Sequence, residues 1–167
     1  MKKLLYIGCP YFGENLFGTP CMEILSKEYE ITLVTSRWTV PVFEQYSYIK
    51  NVLPSDGIRT NAIENVKFGA DTLAKINTIF KDDPDNAFYV AQNSKDERIF
   101  LSYGFEYFKR LPSYNENFAG KALSRTRLYI QRMGLLTAEQ CDDIDCTIRV
   151  PSSPVPDVPN NSIVICQ

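Results

Sequence analysis

The stretch Leu4–Leu25, LLYIGCPYFGENLFGTPCMEIL, constrains the fold more than any other. Leu4, Leu5, Tyr6 and Ile7 form a continuous apolar run, as a strand does when both faces of a parallel sheet are covered. Gly8 ends the run, and Pro10 and Gly13 punctuate the connection that follows. A helix comes next. It starts near Glu14, or after Thr19-Pro20, where Thr suits an N-cap and Pro the first helical position. Cys21, Ile24 and Leu25 fall on one inward face of it. A strand feeding a helix through a glycine turn puts the helix N-terminus at the carboxyl end of the sheet, where open α/β sheets bind ligands.

Two phosphate-binding patterns are excluded here. Gly8, Gly13 and Gly18 are evenly spaced and do not form the dinucleotide fingerprint. Gly8 and Gly13 have the glycine spacing of a Walker A loop, but Glu14-Asn15 stands where that loop needs Lys and Ser or Thr. A carboxylate there would repel phosphate.

The remaining chain alternates strand and helix patterns. Glu30–Thr35 (EITLVT) reads as a second strand, with Ser36-Arg37 leaving its carboxyl end on the ligand side. Val40–Tyr48 predicts a short helix with Phe43 and Tyr46 on one face, and Asn51–Leu53 a short third strand. Pro54–Thr60 is turn-rich, and Ala62–Phe80 predicts a helix with Val66, Leu73, Ile76 and Phe80 inward. Ala87–Ala91 (AFYVA) is a compact, central strand, and Gln92, Asn93 and Ser94 at its carboxyl end either hydrogen-bond a polar ligand or are the polar loop that ordinarily follows a strand. The aromatics between Phe100 and Tyr114 read chiefly as core packing of a helix and its following loop. Asn117–Met133 predicts a helix stopped by Gly134. Residues 105–134 hold six basic and two acidic side chains, and Lys121, Arg125 and Arg132 fall on one stripe. That stripe is either a solvated face or a surface for anionic lipid, such as a membrane leaflet. Residues 151–159 carry four prolines, a linker composition, and Ser162–Cys166 (SIVIC) is a last apolar strand.

Composition narrows the chemistry. The chain has 167 residues with a net charge of −2, which gives no case for nucleic acid as a partner. It has no histidine, so Ser-His and Cys-His schemes are closed and acid–base work falls to other side chains. Its five cysteines form no C-x-x-C pair and read as small buried hydrophobes in a reducing cytosol. The apolar start is too short for a signal peptide or a membrane span, which predicts a cytoplasmic protein.

In order, Gly13-Glu14, Leu16, Thr19-Pro20, Ile24-Leu25, Tyr29 and Ile31–Thr35 follow the opening of another group of proteins. The chain resembles glycosyltransferase family 9, the heptosyltransferase-like enzymes, over about its first third, while Val42–Glu44 and Tyr48–Leu53 are similar to the family's next helix and third strand. The family's acidic residue is usually Asp; here it is Glu14.

The resemblance implies a Rossmann-like α/β fold, a mostly parallel sheet with helices on both faces, as the N-terminal half of a two-domain GT-B enzyme. Residues 1–150 would be the acceptor-side domain, 151–161 the interdomain linker, and 162–167 the first-strand stub of a donor-binding domain. The implied activity is inverting sugar transfer from a nucleotide-sugar to a glycolipid or glycan, with no metal and no cofactor beyond that donor. Glu14 would be the base, and a helix N-terminus favours its ionised form, though the same position suits simple structural capping. Gly13, Asn15, Arg37, Gln92 and Asn93 would meet the acceptor. The expected partners are the acceptor, the nucleotide-sugar through a second half, a donor-side polypeptide and a peripheral contact at the inner membrane face. The chain alone is therefore expected not to transfer sugar. The alternatives are a non-catalytic acceptor-binding or regulatory remnant and a Rossmann-like nucleotide-binding module.

Overall fold

The computed structural model describes residues 1–8, 11–56, 67–92 and 94–111, except for the side chains of Ser94 and Lys95. The chain runs β1 (Lys2–Ile7), α1 (Phe12–Leu25), β2 (Tyr29–Ser36), a 3-10 turn (Arg37–Thr39), α2 (Val40–Phe43) and β3 (Ile49–Ser55). It continues with α3 (Ala70–Phe80), β4 (Ala87–Ala91), α4 (Ser94–Leu101) and β5 (Lys109–Arg110). The strands form one sheet in the order β3-β2-β1-β4-β5, and every pairing is parallel. This is the Rossmann-like α/β arrangement expected from the sequence.

Alternation along each strand explains the apolar runs. In β1, Leu4 and Tyr6 join one core with Cys21, Met22 and Leu25 of α1 and with Phe43 of α2. Leu5 and Ile7 point the other way, into a core with Ile76 and Phe80 of α3 and Phe100 of α4. These four residues are fully buried, and only Lys2 and Lys3 at the start of β1 reach toward solvent. In β4, Val90 belongs to the first core, and Ala87 and Tyr89 to the second. Phe105 and Phe108 also enter the second core, so the expected packing role of those aromatics holds; Tyr114 lies outside the described residues.

Several boundaries differ from the sequence expectation. α1 starts at Phe12, and Thr19-Pro20 lies inside it rather than opening a helix. Proline cannot donate to the carbonyl four residues back, here Leu16. The Thr19 hydroxyl supplies that bond instead, donating to the Leu16 carbonyl at 2.7 Å. The helix expected over 40–48 is a single turn, Val40–Phe43, although Phe43 and Tyr46 are buried as expected. β3 extends through Pro54 and Ser55, which the sequence assigned to a turn. It lies at the end of the strand order, where proline is tolerated. α3 begins at Ala70; residues 57–66, including Val66, are outside the described set. The helix over 117–133, the proline-rich linker and the last strand also fall outside it.

The Thr19–Pro20 pairing can be tested by a double-mutant cycle. Thr19→Val keeps the shape and removes the hydroxyl, leaving the Leu16 carbonyl without this partner. It should cost about 1 kcal/mol in denaturant unfolding. In a Pro20→Ala background, where the residue-20 N–H can reach Leu16, the same change should cost markedly less. Equal costs in both backgrounds would contradict the account.

Candidate functional site

The chain leaves β1 toward β2 and β3, then α3 returns it to β4 on the other side of β1. α1 packs on one face of the sheet and α4 on the other. The carboxyl ends of β1 and β4 thus flank a topological switch point, where such sheets open a ligand crevice. Gly8, the first turn of α1 and Gln92 meet there.

Gly8 allows α1 to start close to β2. Its N–H donates to the Val34 carbonyl at 2.9 Å. A Cβ on Gly8 would lie 2.5 Å from Asn15 Oδ1 and 2.8 Å from the Val34 carbonyl oxygen, and the latter is backbone that cannot swing aside. Gly18 repeats the close approach one and a half turns along α1 (roughly 3.6 residues per turn). A Cβ there would lie 2.6 Å from Tyr6 Oη and 2.7 Å from Gln92 Nε2. Gly13, by contrast, is exposed, and a Cβ on it would meet nothing within 4 Å.

A buried polar chain fixes the next loop. Asn15 Nδ2 donates to Thr35 Oγ1 at 2.9 Å, and Thr35 Oγ1 lies 2.8 Å from Thr39 Oγ1. Thr39 uses its single hydroxyl hydrogen on the Ser36 carbonyl at 2.8 Å, so Thr35 donates to Thr39. Asn15, Thr35 and Thr39 are all fully buried. The chain of bonds ties the first turn of α1 to the end of β2 and to the 3-10 turn that carries Arg37 and Trp38. In a low-dielectric interior such a network is costly to break.

The residues expected at the acceptor therefore have different settings. Gly13 and Glu14 lie in the first turn of α1, with Glu14 half-buried at the switch point. Asn15 faces inward as a link in the polar chain. Gln92 is also buried, and its amide nitrogen donates to Tyr6 Oη at 3.2 Å and to the Glu14 carbonyl at 3.3 Å. It joins β1, α1 and β4 and holds the backbone of Glu14. Arg37 is exposed beyond the end of β2, and its Nη2 and Nε contact Asp56 Oδ1 at 2.7 and 3.2 Å. The hydrogen bond and charge of Asp56 raise the guanidinium's pKa above its ordinary value. Asn93, Lys121, Arg125 and Arg132 lie outside the described residues.

Other groups at this end are not singled out by the sequence. Asp96, in the first turn of α4, is a buried carboxylate. Its signal was the Ser94-Lys95-Asp96-Glu97 spacing, a capping-box pattern that marks a helix start. Trp38 is 68% exposed, and its signal was its place just after the second strand. A groove of about 470 Å³ runs along the β3 edge between Glu44, Lys50 and Lys75, away from the switch point. The site is thus placed by topology and not by the size of a hollow. Among the described residues no group of three or more His, Cys, Asp or Glu side chains could hold a metal ion. No helix among them is long and apolar enough to cross a membrane.

Fold and site together define a Rossmann-like α/β domain with its ligand end between β1 and β4. Neither a protein-family model nor a curated protein matches the sequence. Among solved structures, the chain is similar to a glycosyl transferase family 9 protein from Veillonella parvula DSM 2008, with a TM-score of 0.55 and 14% sequence identity. The match covers 88% of this chain and 43% of that one, so the chain spans less than half the neighbour's length. At that identity the likeness is one of fold.

The close approaches predict opposite outcomes for Gly8, at the end of β1, and Gly13, in the first turn of α1. Gly8→Ala should lower unfolding stability by about 1–3 kcal/mol, because Asn15 and the β2 backbone must move. Gly13→Ala, in an open first turn of α1, should be neutral or stabilising by up to about 1 kcal/mol. Thermal or denaturant unfolding reads both, and a tolerated Gly8→Ala would remove the packing constraint.

Proposed function

We propose that this chain is the acceptor-side part of an inverting, nucleotide-sugar-dependent glycosyltransferase acting on a glycolipid or glycan. The observation that carries the reading is Glu14. It is the acid that the sequence resemblance puts in the base position, and it lies in the first turn of α1 at the switch point. The shared fold of the family 9 neighbour supports this reading at the level of architecture.

In the proposed reaction the acceptor hydroxyl oxygen attacks the anomeric carbon of the donor sugar. The bond from that carbon to the nucleoside diphosphate oxygen breaks, and the diphosphate leaves with the electron pair. The Glu14 carboxylate takes the hydroxyl proton as the new bond forms. A base must lie within hydrogen-bond reach of the hydroxyl, so the first turn of α1 needs a fixed position; Gln92 and the Asn15–Thr35–Thr39 chain supply it. Gly13 leaves room beside Glu14 for an acceptor, and Arg37 offers a cation at the rim. Stabilisation of the leaving diphosphate falls to the donor-side half.

The test is nucleoside diphosphate release by the full chain, with and without the donor-side half of a family 9 enzyme, across nucleotide-sugars and glycan acceptors. Glu14→Gln should lower kcat by roughly a hundredfold with an unchanged melting temperature. Near-normal turnover in the variant would leave Glu14 as a helix-terminal acid only. Absence of turnover under every combination would tell against the transferase reading itself.

A further inference from the structure

We propose that Trp38 is the floor of a sugar-binding subsite at the carboxyl end of β2, where a pyranose ring of the acceptor stacks on the indole face. The identity of the sugar as acceptor rests on the glycosyltransferase reading; the platform itself rests on the following geometry.

Trp38 is 68% exposed, and Tyr11, immediately before α1, is 53% exposed. Trp38 sits on a turn whose next residue, Thr39, is fully buried and bonded to both Thr35 and the Ser36 carbonyl. A line of rings supports it from below. Its ring centroid is 5.8 Å from that of Phe12, Phe12 is 6.0 Å from Phe43, and Phe43 is stacked on Tyr46 at 5.9 Å. Phe43 and Tyr46 are core residues. The indole thus packs at a tilt on Phe12, which meets the buried Phe43 edge-on.

The surroundings suit a sugar better than an acyl chain. The adjacent Arg37 is ion-paired with Asp56. An acyl chain would strip water from these groups and return no hydrogen bond. A pyranose presents an apolar C–H face to the ring and hydroxyls to the charged rim.

Trp38 is the single tryptophan in the chain, so selectively excited tryptophan emission reports on it alone. The full chain is titrated with soluble methyl pyranosides and neutral oligosaccharides, and in parallel with vesicles of mixed phosphatidylcholine and phosphatidylglycerol. A saturable emission change with at least one sugar is expected. By calorimetry, Trp38→Ala should bind that sugar about tenfold more weakly, while Trp38→Phe, which keeps a ring, should retain most of the affinity. Equal binding by wild type and Trp38→Ala would overturn the subsite, as would a response to vesicles alone or no response to any sugar. The two readings separate cleanly. In a wild type that turns over, an unchanged acceptor KM in Trp38→Ala overturns the subsite and leaves the transferase reading standing. Sugar binding lost in Trp38→Ala, in a protein that never turns over, supports the subsite and counts against catalysis.

Discussion

The close approach of α1 to the ends of β1 and β2 governs the ligand end of this molecule. Gly8 makes it possible, since any side chain there would run into Asn15 and the Val34 carbonyl. Once the helix is that near, Asn15 is sealed from water and must find a partner inside, and Thr35 provides one. The hydroxyl of Thr35 then passes its own hydrogen to Thr39, which closes on the Ser36 carbonyl. One steric permission at a glycine thus sets the position of two loops. The inward polar groups hold the shape, while Gly13, Arg37 and Trp38 are left facing outward.

The parts of the fold that were legible in the sequence are those with a strong local signal. β1 and β4 could be read almost residue for residue, because a strand buried on both faces leaves an unbroken apolar run. Burial of Phe43, Tyr46, Phe105 and Phe108 followed from aromatic clustering. The start of α1 was ambiguous, because Thr19-Pro20 has the chemistry of a helix start and of an interior repair alike. Only the burial of Thr19, with its hydroxyl on the Leu16 carbonyl, decides between them. The extent of β3 was hidden by Pro54, which breaks a central strand but not one at the end of a sheet. β5 has two residues, both charged, and exists because β4 offers it a partner. No local pattern announces such a strand.

At the site, position was legible and direction was not. The sequence placed Gly13, Glu14, Asn15 and Gln92 at the carboxyl end of the sheet, and all four are there. Which of them face a ligand depends on the rotation of α1 about its axis. Glycines at 8 and 18 fix that rotation through contacts with β1, β2 and Gln92. Arg37 was equally clear as an end-of-strand cation, but its partner Asp56 lies nineteen residues further on. Pairings of that kind follow from sheet order, which local periodicity does not carry.

Under the proposed transferase reading, Glu14 stands where family 9 enzymes usually carry aspartate, and the geometry gives that difference a physical consequence. Glutamate is one methylene longer, which moves its carboxylate on the order of 1 Å further out, a distance that matters for a reacting geometry. A loose helix could absorb that by sliding back. Here it cannot, because Gln92 holds the Glu14 carbonyl, Asn15 is locked to Thr35, and Gly18 lies against Tyr6. If Glu14 is the base, the extra reach must be met on the other side, by an acceptor seated further from α1. Trp38 stands at the end of β2, its ring 5.8 Å from that of Phe12 at the helix start. On the proposed reading, the longer acid and the exposed indole would be two parts of one adjustment, since Gln92, Asn15 and Gly18 already hold the helix start.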